Sequence, residues 1–178
     1  MTDKSINGWE VIPSQSDKRL LVKVVPGTNV KLRARAEVLP LLLAIAADFN
    51  NEVAPLRNGE CGAWCYRKAR QGGGAFSDHS SGTAMDLNWG HEGAMGPKGG
   101  MVRMNAAQIA ACAEIKKRYQ IVIWGGDKAK GGDYKDPSSW DPMHYALKSG
   151  ITVADINKVL AELKIDKNGV RPGAGTKK

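Results

Sequence analysis

The sequence predicts an α+β fold, a small antiparallel sheet flanked by helices, and three observations lead there. Several short runs are β-prone, and one of them, Thr83–Asn88, alternates with period two as a half-buried strand does. In longer runs, around residues 39–49, 105–119 and 152–165, apolar residues recur at helical spacing. The two kinds of run are interspersed with no strand–helix–strand rhythm, so nothing calls for a parallel, doubly wound sheet. A chain of 178 residues can bury one compact core. Residues 1–165 read as that single domain, and the Gly- and Lys-rich stretch 166–178 as a flexible tail or linker.

Taken in order, Trp9–Ile12 reads as a short strand or an N-terminal arm, and Leu20–Val25 as a β-prone run closed by Pro26 and Gly27. Val30–Asn51 is the strongest helix candidate, with Leu39, Leu42, Leu43, Ala46 and Phe49 at helical spacings. Pro40 either sits in the first turn of a helix beginning near Glu37 or kinks a longer one. Glu60–Arg70 is β-prone and carries Trp64, Tyr66 and Arg67, and Gln71–Gly74 is a flexible loop. Residues 90–100 hold five glycines and form an exposed loop containing His91. Asn105–Tyr119 is a helix capped by Asn105, with Ile109, Cys112, Ala113 and Ile115 inward. Ile121–Trp124 is a buried strand, residues 125–139 a polar loop that can rim a cleft, and Trp140–Leu147 a further strand. Thr152–Ile165 is a helix capped by Thr152, with Asp155 at the third helical position. Trp124 and Trp140 belong to the core or to a cleft wall, with the core preferred.

The chemistry gathers around Ser77-Asp78-His79-Ser80-Ser81-Gly82-Thr83-Ala84-Met85-Asp86, a pattern S-x-H-x-x-G-x-A-x-D. Ser80-Ser81-Gly82 is turn chemistry, with Gly82 free to take positive φ. From Thr83 to Asn88 the residues alternate, so Ala84, Asp86 and Asn88 share one strand face and Thr83, Met85 and Leu87 the other. A strand leaving the turn brings Asp86 back beside His79. Imidazole nitrogen and carboxylate oxygen suit Zn²⁺, whose catalytic sites keep three protein ligands and leave one position for water. The chain has three histidines, so the third ligand is His144, with loop residue His91 the alternative. Asp141 stands three positions before His144, where an unligated carboxylate can take a proton from that water.

These motifs resemble those of the VanY/VanX-type zinc peptidases, a family that includes D-alanyl-D-alanine carboxypeptidases and phage L-alanyl-D-glutamate endopeptidases. All five fixed positions of the first motif match, and an acidic residue precedes the second histidine by three. Trp124-Gly125-Gly126-Asp127 and the upstream pair Tyr66-Arg67 also match segments typical of the family. The likeness covers roughly residues 30–148, most of the chain. It implies a Hedgehog/DD-peptidase-like fold, a Zn²⁺ ion on His79, Asp86 and His144, and hydrolysis of a peptidoglycan stem peptide. Asp141 would be the catalytic base, although the family more often has Glu there. Arg67 would polarise the scissile carbonyl, and Ser77 and Tyr66 would bind substrate, with support of the metal ligands the other role open to Ser77. The L-Ala–D-Glu bond is the expected target, the D-Ala–D-Ala bond or a non-catalytic zinc-containing wall-binding module the alternatives.

A net charge of +8 and a pI near 9.5 call for an anionic partner. No nucleic-acid-binding motif stands in the sequence, so anionic cell-wall polymers are the expected partner and nucleic acid is not. The N-terminal residues carry no apolar leader, and the longest apolar stretch, Val38–Ala47, is too short to enter a bilayer as a span. A monomeric lysis enzyme of phage type, made in the host cytoplasm and released to the wall, fits these features. Cys61, Cys65 and Cys112 form no disulfide framework; free thiols are expected, with a Cys61–Cys65 bridge the alternative.

Overall fold

A computed structural model of the chain describes residues 2–69, 74–90, 104–127 and 141–173. His91 with residues 92–100 of its loop, residues 71–73, residues 128–139 of the polar loop, Trp140 and residues 174–178 lie outside the described residues.

The fold is α+β. Strands β1 (Leu20–Val24) and β2 (Lys31–Arg35) form an antiparallel hairpin, followed by helix α1 (Leu39–Glu52). Strands β3 (Cys61–Gly62), β4 (Ala84–Leu87), β5 (Val122–Trp124) and β6 (His144–Leu147) make a second sheet in the order β3-β4-β6-β5, antiparallel throughout. A 3₁₀ turn (Asp78–Ser81) leads into β4, α2 (Ala106–Arg118) precedes β5, and α3 (Val153–Glu162) follows β6. None of the described helices is long and apolar enough to cross a membrane.

The helix expected from residue 30 begins only at Leu39. Lys31–Arg35 is a strand because its alternation has period two: Leu32 and Ala34 are fully buried while Lys31 is exposed. Pro40 lies in the first helical turn, where its missing N–H costs nothing. From there α1 is apolar on nearly every side, and Leu39, Leu41, Leu42, Leu43, Ile45 and Phe49 are fully buried. Each such side chain contributes about 1.5–3 kcal/mol by leaving water. The helix packs against the hairpin, β4, α2 and α3, so both sheets share one core.

Helix α2 is capped by a reciprocal box: Asn105 accepts from the Gln108 N–H and Gln108 from the Asn105 N–H. Cys112 and Ile115 face the core, but Ala113 is exposed, since one step around a helix is about 100° and carries it off their stripe. Thr152 and Asp155 form the same kind of box on α3. Trp124 is buried in the core and donates its indole N–H to the Pro142 carbonyl at 2.8 Å. Cys61, Cys65 and Cys112 are free thiols, and burial pushes the Cys112 thiol up to about 12.

Asp166–Gly173 belong to the stretch that composition assigns to a tail, and they fold back over α1. Lys23 donates to the Lys167 carbonyl, and Arg171 pairs with Asp48 of α1 at 3.1 Å. Asp48 is buried and also accepts from Arg118 at 2.6 Å and from the Tyr119 hydroxyl at 2.8 Å. One carboxylate therefore ties α1, the end of α2 and the C-terminal segment together. Asp48→Ala leaves two guanidinium groups facing each other without it, and the expected cost is about 2–4 kcal/mol. Thermal unfolding should show Tm lower by roughly 5–12 °C, and a Tm equal to the parent's contradicts this role.

Candidate metal centre

The second sheet has two unlike faces. Met85, Leu87, Val122, Trp124, Tyr145 and Leu147 point into the core. Period two then sends Ala84 and Asp86 of β4 and His144 and Ala146 of β6 to the other face. The register pairs Asp86 with His144 directly. Ladder bonds run from Leu87 N–H to the Met143 carbonyl and from Leu147 N–H to the Thr83 carbonyl, so they fall on the neighbouring residues. Asp86 and His144 thus form the non-hydrogen-bonded kind of pair, in which opposed side chains come closest. Gly62 of β3 flanks Asp86 on its other side and adds no side chain there.

His79 reaches this face from the 3₁₀ turn. Ser77 caps that turn, its hydroxyl accepting from the His79 N–H. The turn ends at Gly82, in the left-handed region at φ 70°. A Cβ there would stand 2.6 Å from the Arg35 backbone nitrogen of β2, so conformation and space both demand glycine. The turn thus packs on the hairpin as tightly as backbone allows, and His79 is buried.

The result is a cluster of three ligand atoms. His79 Nε2 lies 3.3 Å from Asp86 Oδ1 and 3.3 Å from His144 Nδ1, and His144 Nδ1 lies 2.9 Å from Asp86 Oδ1. His79 Nδ1 is 2.5 Å from the Ala63 carbonyl. A carbonyl only accepts, so Nδ1 carries the proton and the Nε2 lone pair faces the cluster. A tetrahedral ion with bonds of about 2.0–2.1 Å holds its ligand atoms about 3.3 Å apart. The three side chains can therefore hold a metal ion with little movement.

Charge at the cluster is balanced within it. Burial opposes ionisation of Asp86, but its contact with the two imidazoles, above all the hydrogen bond from His144, outweighs this and holds the carboxyl well below the usual range. Burial also disfavours the His144 imidazolium, and the hydrogen bond and charge of Asp86 more than reverse this, raising His144 overall. Asp78, next to His79, is raised by burial against a hydrogen bond from the Asn7 N–H.

Asp141 adjoins the cluster through the main chain: its N–H donates to Gly125 and its carbonyl accepts from the His144 N–H at 3.0 Å. Its carboxylate contributes to the upward shift of His144. A Cβ on Gly125 would overlap the Asp141 carbonyl, which accounts for glycine at that position. Arg67 is half-buried, and its main chain bonds Ser77 and the Ser80 hydroxyl on either side of His79. Tyr66 is exposed, with its ring 5.3 Å from Phe76. Ser77 supports the ligand turn as its cap. Asn88 departs from the expected alternation: at φ 51° it turns out of β4, and its side chain binds the Arg57 N–H and the Pro55 carbonyl. Asp127 of the Trp-Gly-Gly-Asp segment pairs with Lys116 of α2.

Sequence reasoning missed Asp78, Ser5 and Asn7, which form a buried polar network behind the turn. Comparison with known protein families, curated proteins and solved structures finds no match to this chain.

The raised His144 sets the pH dependence of metal binding. Below its pKa, Nδ1 carries a proton donated to Asp86, and an ion must displace that proton. Zn²⁺ affinity is expected to rise about tenfold per pH unit from pH 5, to go on rising past ~6.5, the value of a free imidazole, and to level off only once His144 has lost its proton. Chelator-competition titrations across this range check it, and an affinity flat from pH 5 to 7 contradicts the assignment.

Proposed function

We propose that this chain is a zinc-dependent peptidase that hydrolyses the stem peptide of bacterial peptidoglycan, with the L-Ala–D-Glu bond as its target. The observation that carries the reading is the convergence of His79 Nε2, His144 Nδ1 and Asp86 Oδ1 on one point, with Asp141 main-chain-bonded to His144. A partly buried cluster of this kind also serves a purely structural ion. Asp141 and Arg67 favour the enzyme, since a structural site needs neither a spare carboxylate nor a cation. The S-x-H-x-x-G-x-A-x-D pattern and its resemblance to the VanY/VanX-type peptidases supply the substrate class.

Two imidazoles and one carboxylate are a donor set suited to zinc. When bound, zinc polarises water and lowers its pKa towards ~7. The chain's own residues then have separate tasks. His79, through its bond to Ala63, keeps one tautomer and presents Nε2. Asp141 accepts the proton of the attacking water and returns it to the nitrogen of the departing amine, so the products are a carboxylate and a free amine. Arg67 places its guanidinium against the carbonyl oxygen as negative charge develops there. Tyr66 offers an exposed ring to the substrate chain.

The positive charge of the chain, +8, supports retention on anionic wall polymers as a second contact with the same target. An Asp141→Ala variant should bind one Zn²⁺ as the parent does and lose hydrolysis of purified peptidoglycan by about 10²-fold or more. Mass spectrometry of the released fragments should show new amino termini on D-Glu. Freed D-Ala instead would shift the target to the D-Ala–D-Ala bond, and unchanged lysis by Asp141→Ala would remove Asp141 from the reaction.

A further inference from the structure

Residues Ser5–Asn7 stand more than seventy positions before the ligand turn, yet they are hydrogen-bonded to it at several points. Ser5 Oγ lies 2.9 Å from Ser81 Oγ. The Asn7 N–H donates to Asp78 Oδ1 at 2.8 Å. The Asn7 side-chain amide donates to Thr83 Oγ1 at 2.8 Å and to the Leu147 carbonyl at 3.3 Å. Further along the arm, the Ile12 N–H donates to the Ser80 carbonyl, and Arg35 joins the Ser81 and Glu10 carbonyls.

Two features separate this contact from ordinary core packing. Ile6, the one apolar residue between Ser5 and Asn7, is 57% exposed, so this part of the arm is held by polar bonds and not by apolar burial. Asn7 also bonds two different elements at once. Asp78 and Thr83 flank the turn that carries His79, whereas Leu147 lies on β6, which carries His144. One buried amide therefore spans the two elements whose imidazoles must stay about 3.3 Å apart to share an ion.

We infer that the N-terminal arm is a working part of the metal centre, with Asn7 as a positioning residue that sets the His79 turn against β6. The inference rests on the metal-binding reading of His79, Asp86 and His144. Asn7→Ala keeps the backbone N–H to Asp78 but removes the amide that joins Thr83 Oγ1 to the Leu147 carbonyl, so the turn drifts on β6 and the ion meets a looser set of ligands. Groups that orient metal ligands from behind alter affinity by about 10–100-fold. Asn7 acts one step further out, so the lower end of that range is expected.

The test uses the full chain with Zn²⁺ affinity from chelator competition, the visible absorption of bound Co²⁺, and thermal unfolding. Asn7→Ala should weaken Zn²⁺ by about tenfold and change the Co²⁺ spectrum. Ser5→Ala should do so less, and Ser5→Thr, which keeps the hydroxyl, should match the parent. Val159→Ala on α3 serves as control, lowering Tm while leaving metal binding and the Co²⁺ spectrum unchanged. If Asn7→Ala binds as tightly as the parent with the same spectrum, the inference is overturned while the metal reading stands. If Asn7→Ala does not fold, the Ser5 pair decides: equal affinity in Ser5→Ala and the parent overturns it. A parent chain that binds no Zn²⁺ overturns the metal reading and this inference with it.

Discussion

The cross-strand pair Asp86–His144 is the constraint on which the rest of the site depends. Its register puts a carboxylate and an imidazole side by side on the sheet face turned away from α1, at the kind of pair where side chains approach most closely. A slip of one residue would send both into the core and bring Met85 and Tyr145 out, at the cost of two fully buried large side chains. Hydrophobic burial on one face therefore specifies ligand geometry on the other. Core and chemistry share the same two four-residue strands.

His79 completes the cluster only because the turn that carries it is pinned from three sides. Gly82 lets it approach β2 at backbone distance, Ala63 holds the imidazole from behind, and Ser5 and Asn7 fill the space beneath with hydrogen bonds. Buried hydroxyls, an amide and a carboxylate are costly unless satisfied, and here they satisfy one another. Such a network tolerates few alternative arrangements, which suits a site whose ligand atoms must keep their spacing before any ion arrives.

Much of this was legible in the sequence, for local reasons. The turn at Ser80-Ser81-Gly82 and the alternation after it are short-range signals, and they place His79 and Asp86 together without knowledge of the remaining fold. His144 could be found because the chain has few histidines. The capped helices α2 and α3 followed from Asn105 and Thr152. Other features needed distance. Lys31–Arg35 was absorbed into the helix that follows because its alternation is brief and abuts a long apolar run. Ser5 and Asn7 carry no periodicity, and their partners lie seventy or more residues away. The sheet order β3-β4-β6-β5 is likewise a product of pairing between distant segments. The folding back of Asp166–Gly173 depends on Asp48, whose carboxylate on an apolar helix is a sign of a buried partner that sequence alone does not name.

The most direct test is a crystal of the zinc-loaded protein measured on both sides of the zinc absorption edge. The account requires one anomalous peak per chain, about 2.0–2.2 Å from His79 Nε2, His144 Nδ1 and Asp86 Oδ1. A peak at other residues, or none at this cluster in protein that carries stoichiometric zinc, would contradict it.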